Sequence, residues 1–298
     1  MKKIITILTF LVTLNGFSQT NNTNIKLKQK YISLKGYKAL FGKSLTKEDS
    51  LLFVIHKSDT LIPFPDDNTQ LKGVKVKYVE KDSVFLDIYE DIVFKKYFYN
   101  QKSSTSHLKM RYWKDEIKIY FANNIDAEVK SALTKFANYL NKEVDSLKIS
   151  YTDTISHSNF IIYNFNSKDD KKYDERIKDF YNDYYISWKG NQRIYDCKLQ
   201  LNSNYYKDKS DFISATKILF LKSLGHLNFT DLLPKESYLS SHYSNTKEFT
   251  EKDLEILKYH YSYGICKGTD LKTFQEQHKR AKQVLKETGM PYYIIQTY

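Results

Sequence analysis

A helical pattern across residues 211–226 is the feature that most constrains the fold of this 298-residue chain. A helix that is apolar all round is buried inside a protein rather than lying on its surface. The pattern therefore predicts a buried central helix, capped by Ser210, around which other elements pack. Its apolar residues occur on nearly every side: Phe212, Ile213, Ala215, Ile218, Leu219, Phe220, Leu221 and Leu224.

Further helices and strands are predicted on both sides of this central helix. Apolar residues that recur at steps of three and four predict an amphipathic helix over residues 126–144. Thr250 and Asp253 form a variant of the capping box and predict the start of another helix, and a last amphipathic helix is expected over residues 271–287. The fold class expected is α+β, with a mixed sheet. The strands are predicted at residues 112–121, 147–153, 159–165, 184–190 and 193–202.

The N-terminal third has the character of a small β-rich segment. Strand-like patterns at residues 51–57, 73–79 and 84–94 predict an antiparallel sheet. The polar stretch QKSSTSH at residues 101–107 indicates a boundary after it. The predicted plan has four parts: residues 1–18 as a signal peptide, 19–105 as the β-rich segment, 106–268 as the domain with the central helix, and 269–298 as a C-terminal helix and tail.

The first 18 residues resemble a secretory signal peptide. Lys2 and Lys3 precede a short apolar stretch, which ends at a small-x-small site formed by Gly16 and Ser18. The apolar stretch is too short to span a bilayer. We therefore expect an exported protein, periplasmic or extracellular, with no transmembrane segment in the mature chain. An oxidising compartment would permit one disulfide between the two cysteines, Cys197 and Cys266.

The positive charge of the chain does not indicate a nucleic-acid partner. The formal net charge is +12, but lysines alternate with acidic residues along most of the sequence. Only four of the 47 basic residues are arginine, the side chain best suited to phosphates and base edges. We expect no specific nucleic-acid binding, and a partner that is a protein or an envelope polymer.

Three motifs follow in order from the end of the central helix: SLGHLNF at residues 223–229, SSHY at 240–243 and FTEKDLEILKYHY at 249–261. With the order of predicted elements, they make residues 112–264 resemble the catalytic domain of metzincin-like secreted bacterial zinc proteases. In that family an H-E-x-G-H-A-x-G-x-x-H helix precedes a turn such as S-I-M-Y and a helix that begins L-T-x-x-D. The resemblance implies a zincin-like mixed sheet with a buried central helix, preceded here by the small β-rich segment.

Most residues that carry the chemistry in that family are replaced in this chain. The family's first histidine ligand, catalytic glutamate and second histidine ligand fall on Lys222, Ser223 and His226. A lysine ammonium has no lone pair for a metal, and serine is too weak a base to activate zinc-bound water. With one ligand of three retained, we expect no catalytic zinc, no other metal and no cofactor. The helix-ending glycine, third histidine and turn methionine fall on Phe229, Leu232 and His242.

The expected function is therefore a non-catalytic one, the binding of a polypeptide or envelope component. Two alternatives remain open: a zinc-dependent peptidase with divergent ligands, and a structural or adhesive envelope protein. A relocated metal site at His226 and His242 would need a third ligand. A nucleophile pair at Lys222 and Ser223 is disfavoured because adjacent helix residues point about 100° apart.

The resemblance also implies that the two cysteines lie near each other. In the family-like order, Cys197 lies on the strand before the central helix, and Cys266 follows the T-x-x-D helix. Both elements would pack near the central helix, which predicts a Cys197–Cys266 disulfide.

Overall fold

This computed structural model describes residues 31–34, 50–51, 53–56, 59–63, 73–96, 109–288 and 292–297. The chain divides into two compact units, one of residues 1–72 with 297–298 and one of residues 73–296. The predicted signal peptide and the polar boundary segment lie outside the described residues. The sequence predicted a boundary after residue 105, whereas this division joins residues 73–105 to the second unit.

The first unit contains a three-stranded sheet. Its strands are β1 (Tyr31–Ser33), β2 (Val54–His56) and β3 (Asp59–Pro63), in the order β1-β3-β2 with both pairings antiparallel. Leu61 and Ile62 of β3 are buried. The strand predicted within residues 51–57 is thus confirmed at its centre.

The second unit is built on a six-stranded, mostly parallel sheet. The six strands are β5 (Tyr112–Trp113), β6 (Ile117–Phe121), β7 (Ile149–Tyr151), β8 (Phe160–Asn164), β9 (Asp183–Trp188) and β10 (Arg193–Leu201). Parallel strands follow the order β5-β10-β8-β6-β7, and β9 pairs antiparallel with β10. A separate pair joins β4 (Gly73–Lys77) to β11 (Tyr293–Thr297).

Strand β9 forms one border of this sheet. Ile194 of β10 pairs with Trp113 of β5 and also with Trp188 of β9, so these two strands lie on opposite sides of β10. β8 pairs with β10 further along, from Cys197 onwards. Within the described residues, β9 therefore has a strand neighbour on one side only.

Five α-helices complete the described part of the second unit. The helices are α1 (Ser83–Phe94), α2 (Ala127–Glu143), α3 (Lys209–Ser223), α4 (Glu251–Tyr261) and α5 (Leu271–Thr288). The helix predicted over residues 126–144 is confirmed as α2, with the Asp126 carboxylate accepting hydrogen bonds from backbone N–H groups in the first turn. The central helix α3 packs against α2, β9 and β10, and its Phe220 and Leu221 are fully buried.

The strand predicted at residues 84–94 is wrong, because this segment is helix α1. Asp82 caps the helix by accepting a 2.8 Å hydrogen bond from the Phe85 amide, and Lys95 ends it in the left-handed conformation with φ 51°. Phe85, Tyr89 and Ile92, at steps of four and three, are fully buried together. The β-branched and aromatic residues favour a strand locally, but burial of a helical face outweighs that preference.

None of the helices within the described residues is both long enough and apolar enough to cross a lipid bilayer.

Candidate functional site

The C-terminal end of α3 lies three residues earlier than predicted. The helix ends at Ser223 rather than at residue 226, and its N-cap is Asp208 rather than Ser210. The Leu227 amide donates a 2.9 Å hydrogen bond to the Lys222 carbonyl, the bond typical of a Schellman ending. His226 takes the left-handed conformation at this ending, with φ 54°.

Two side chains from other elements satisfy the remaining carbonyls of this helix end. The Trp113 indole N–H donates to the Ser223 carbonyl at 3.3 Å, and the Tyr261 hydroxyl donates to the Leu224 carbonyl at 2.6 Å. Unpaired carbonyls at a buried helix end would be costly. These two donors therefore fix where the helix stops and where His226 leaves it.

Gly225 allows a buried histidine to approach the end of α3. A Cβ atom at this glycine would lie 2.6 Å from Nε2 of His260, a residue of α4. His260 is fully buried, with Nε2 bonded to the Arg111 carbonyl at 2.8 Å and Nδ1 bonded to the Tyr89 hydroxyl at 3.1 Å. His260 thus joins α1 and α4 to the backbone of Arg111, beside the end of α3.

His226 lies against strand β9 in a positively charged environment. Its Nδ1 lies 3.3 Å from the Tyr184 hydroxyl, and the two rings meet edge to face at 5.9 Å. Burial, followed by the cations Arg111, Lys95 and Lys222, lowers the pKa of His226 to about 4. The imidazole is therefore neutral at pH 7, and its Nδ1 shares a hydrogen bond with the Tyr184 hydroxyl.

Lys222, at which the resemblance places the first zinc ligand, is a largely buried cation. Its ammonium lies 3.8 Å from the centre of the Phe229 ring. Burial lowers the pKa of Lys222 to about 8, with Asp183 opposing and Lys95 adding to the effect. The ammonium remains mainly protonated at pH 7, where it repels a metal cation.

Arg111 is the second cation of the site. Its guanidinium stacks on Trp188 of β9 at 4.0 Å from the ring centre. Its Nε is buried and has no hydrogen-bond partner within the described residues. Burial lowers the pKa of the guanidinium, but arginine stays charged at any physiological pH.

A third cation, Lys95, is brought near by the loop that follows His226. The backbone amide and the side-chain Nδ2 of Asn228 both donate to the Ile92 carbonyl at 2.9 Å. These bonds attach the loop to the end of α1, immediately before Lys95. We name Arg111, Lys222, Lys95 and His226, with Tyr184 beside them, the cationic cluster.

Ser223, another predicted site residue, does not belong to the cationic cluster. Ser223 is fully buried, donates to the Phe220 carbonyl at 2.7 Å and also hydrogen-bonds Cys197, so it faces the sheet. The Lys222 ammonium lies instead over Phe229. Lys222 and Ser223 therefore do not form a nucleophile pair, which agrees with the prediction made from their spacing.

His242 and Leu232 both lie at the surface of the protein. His242 is exposed and donates from Nε2 to the Asp231 carbonyl at 2.9 Å. Leu232 is 39% exposed and lines a groove of 540 Å³ with residues of α1 and α5. Across the part of the chain that the structure describes, no three His, Cys, Asp or Glu side chains are grouped to hold a metal.

The segment SSHY is attached to α4 by one buried carboxylate. The capping box predicted at Thr250 and Asp253 is present, and Asp253 is completely buried. Its two oxygens also accept from the Ser237 hydroxyl at 2.6 Å and from the Tyr238 and Leu239 amides at 3.1 and 3.2 Å. Asp253 therefore holds the chain before SSHY against the start of α4.

Cys197 and Cys266 are both free thiols in the structure. Cys197 is buried within the sheet, where it pairs in register with Phe160 of β8. Burial raises the pKa of the Cys197 thiol, so it is not a reactive thiolate. The disulfide between the two stays a prediction, to be checked by mass spectrometry of non-reduced protein.

Several residues of the cationic cluster were not singled out from the sequence. Arg111 was notable only as one of four arginines, and Tyr184 and Trp188 only as aromatic residues of a strand. Their meeting depends on β9 lying beside the end of α3, which no local pattern encodes.

Neither a scan against models of known protein families nor a search of curated proteins finds a match to this chain.

Proposed function

We propose that this chain is an exported, non-catalytic protein that binds an extended polypeptide along strand β9 of a degenerate zinc-protease-like domain. The observation that carries the proposal is a group of cations at the position where the resembled family binds its zinc. The resemblance assigns a catalytic zinc to the position of Lys222 and His226, and there the cations Arg111, Lys222 and Lys95 all act on one imidazole. A dication is repelled by such a cluster, and the Glu base is absent.

The order of elements supports the zinc-protease-like part of the proposal. From β6 to α4 the chain runs through a strand, a helix, further strands, a buried helix, a turn and a T-x-x-D helix. Asp253 attaches the segment before SSHY to the last of these helices. The family-like frame is thus consistent with the observed packing, while its catalytic residues are replaced. Export is supported by the pattern of residues 1–18.

The border strand β9 supports the binding part. It pairs with β10 on one side, and no other described strand pairs with its outer side. An outer strand of this kind presents backbone donors and acceptors to which an extended peptide adds as a further strand. Tyr184 and Trp188 lie on the same face of β9, next to the cationic cluster.

Hydrogen exchange tests this proposal directly. Blocked octapeptides of random sequence should slow exchange of the outward amides of β9 when added in excess. The opposite border strand, β7, provides the matched control, because it also has a single strand neighbour among the described residues. Equal protection of β7 and β9, or no protection of β9, would reject polypeptide binding and leave the structural or adhesive alternative.

A further inference from the structure

We propose that Arg111, Lys222 and the Tyr184–His226 pair form a binding site for a carboxylate, and that this carboxylate is an acidic side chain of the polypeptide bound along β9. The second half of this inference rests on the function proposed above. The first half rests on the charges and contacts of the cationic cluster alone.

Arg111 and Lys222 carry positive charge that no described carboxylate neutralises through a salt bridge. Within the described residues, neither Arg111 nor Lys222 forms a salt bridge, whereas Arg193 and Arg176 pair with Asp115 and Asp174. The nearest acidic influence on Lys222 is Asp183, an exposed residue at the start of β9. Partly buried cations without a counter-ion are costly unless a ligand supplies the opposite charge.

Contacts with Tyr184 and Trp188 place His226 and Arg111 at one face of β9. Tyr184 and Trp188 are four residues apart on the same face, so their Cα atoms are separated by roughly 13 Å. His226 contacts the first ring and Arg111 stacks on the second. A peptide chain running along β9 would pass both contacts.

Arg111 offers the donors that a carboxylate requires. A guanidinium that stacks on an aromatic ring keeps its in-plane N–H groups available, and its planar fork matches a carboxylate with two parallel hydrogen bonds. The Lys222 ammonium adds a point charge. Two such charge-assisted contacts distinguish a carboxylate from the neutral amide of the same shape.

The cations are held in place before any ligand binds. The Arg111 backbone accepts from His260 Nε2 at 2.8 Å, and its neighbours Met110 and Tyr112 donate to the carbonyls of Thr269 and Gln192. Lys222 lies on a buried helix with its ammonium over Phe229. Groups that are already ordered lose little entropy on binding, so the site is suited to recognition.

The test compares two mixtures of labelled, blocked octapeptides, identical except for Glu or Gln at one central position and uncharged elsewhere. Fluorescence anisotropy with the full mature chain, at fixed ionic strength, should show the Glu mixture binding at least about tenfold more tightly than the Gln mixture. Arg111→Gln and Lys222→Met should each remove most of this preference. Arg111→Lys, which keeps the charge but loses the planar fork, should retain only part of it.

Matched controls come from cations of the same elements. Arg176 stacks on Tyr185, on the other face of β9, at 3.6 Å, and Lys217 lies on α3 with its ammonium 5.9 Å from the Phe136 ring centre. Arg176→Gln and Lys217→Met should leave the preference for Glu unchanged. Thermal unfolding of every variant identifies any loss of binding that is caused by unfolding.

A second probe separates this inference from the proposed function. Acetate, a carboxylate without a polypeptide, should shift the Trp188 indole N–H signal in the wild-type NMR spectrum but not in Arg111→Gln. Equal binding of the Glu and Gln mixtures would overturn the carboxylate site and leave the polypeptide function standing. An acetate shift without binding of either mixture would uphold the carboxylate site and overturn the polypeptide function. No acetate response in the wild type, or an equal response in the wild type and in Arg111→Gln, would overturn the site itself.

Discussion

His226 is the residue on which the reading of this site depends. The proposed resemblance places the second histidine ligand of the zinc-protease family at this position, yet His226 lies beyond the end of α3, against Tyr184 and among cations. A neutral imidazole in this environment contacts the hydroxyl group of a neighbour rather than a metal. Its protonation is therefore the most local test of the cluster.

Removing a neighbouring cation should raise the pKa of His226. In the wild type, burial and the cations Arg111, Lys95 and Lys222 lower that pKa to about 4. Arg111→Gln and Lys222→Met each remove one repulsive charge and favour the imidazolium. NMR titration of the imidazole should show an upward displacement in both variants and none in Lys217→Met. An identical titration in all four proteins would contradict the charge arrangement described here.

Gly225 should be intolerant of a side chain. A Cβ atom would approach His260 Nε2 to 2.6 Å, and His260 is held by bonds to Tyr89 and Arg111. Crowding of this kind destabilises a protein by about 1–3 kcal/mol. Urea unfolding of Gly225→Ala should show this loss. Gly190→Ala is the control, because nothing lies within 4 Å of a Cβ atom at Gly190, and it should unfold like the wild type.

At the level of single elements, the sequence patterns predicted helices α2 and α4 correctly but not helix α1. The amphipathic repeat of α2 and the capping box of α4 each specify a helix through neighbouring residues, and both are present. Helix α1 was predicted as a strand, because Val, Ile, Phe and Tyr favour strands locally. Its spacing buries Phe85, Tyr89 and Ile92 on one helical face, and that spacing was the signal to read.

The position at which α3 ends depends on contacts that the local sequence does not encode. The apolar pattern continues to residue 226, but the helix stops at Ser223 where Trp113 and Tyr261 donate to its carbonyls. Both donors are distant in the chain. The same holds for Arg111, whose backbone is held at the site by the distant residue His260. Contacts made by tertiary packing could not be predicted from one sequence.

The attachment of the SSHY segment to α4 should depend on the Asp253 carboxylate. This buried group accepts from Ser237, Tyr238, Leu239 and Thr250. Asp253→Asn replaces one acceptor oxygen with a donor, leaving buried N–H groups without partners at a cost of about 1–3 kcal/mol. Denaturant unfolding should show this loss. Glu251→Gln, an exposed change in the same helical turn, should cost less than about 0.5 kcal/mol; equal stability of both variants would refute the assigned role.

For the whole molecule, buried neutral histidines should make stability depend on pH. Burial first, with smaller contributions from nearby charges, lowers the pKa of His260 to about 3 and that of His278 to about 4. Unfolded histidine has a pKa near 6.5, so below that pH the unfolded chain binds protons that the folded chain does not. Stability should fall as the pH drops from about 6.5 towards 4.

Between pH 7 and pH 5 the expected loss is up to about 4 kcal/mol for these two histidines together. Urea unfolding at both pH values measures it. Unfolding free energies that do not differ between pH 7 and pH 5 would show that His260 and His278 are not held neutral.

Introducing the zinc motif of the resembled family should fail for reasons that involve the whole fold. In Lys222→His/Ser223→Glu/Leu232→His, the new His at 232 would lie in the groove beside α1 and α5. Position 223 faces the sheet and position 226 lies beyond the helix end. The three imidazoles would not converge on one point, so the variant should bind no more zinc than the wild type.

We propose that cations lie where the zinc-protease family binds its metal, and elemental analysis of zinc tests this proposal most directly. The full mature chain, saturated with zinc and then passed through a desalting column, is analysed by mass spectrometry of the elements. Far less than one zinc per chain is expected in the wild type and in the triple variant. One zinc per wild-type chain, lost on His226→Ala, would contradict it.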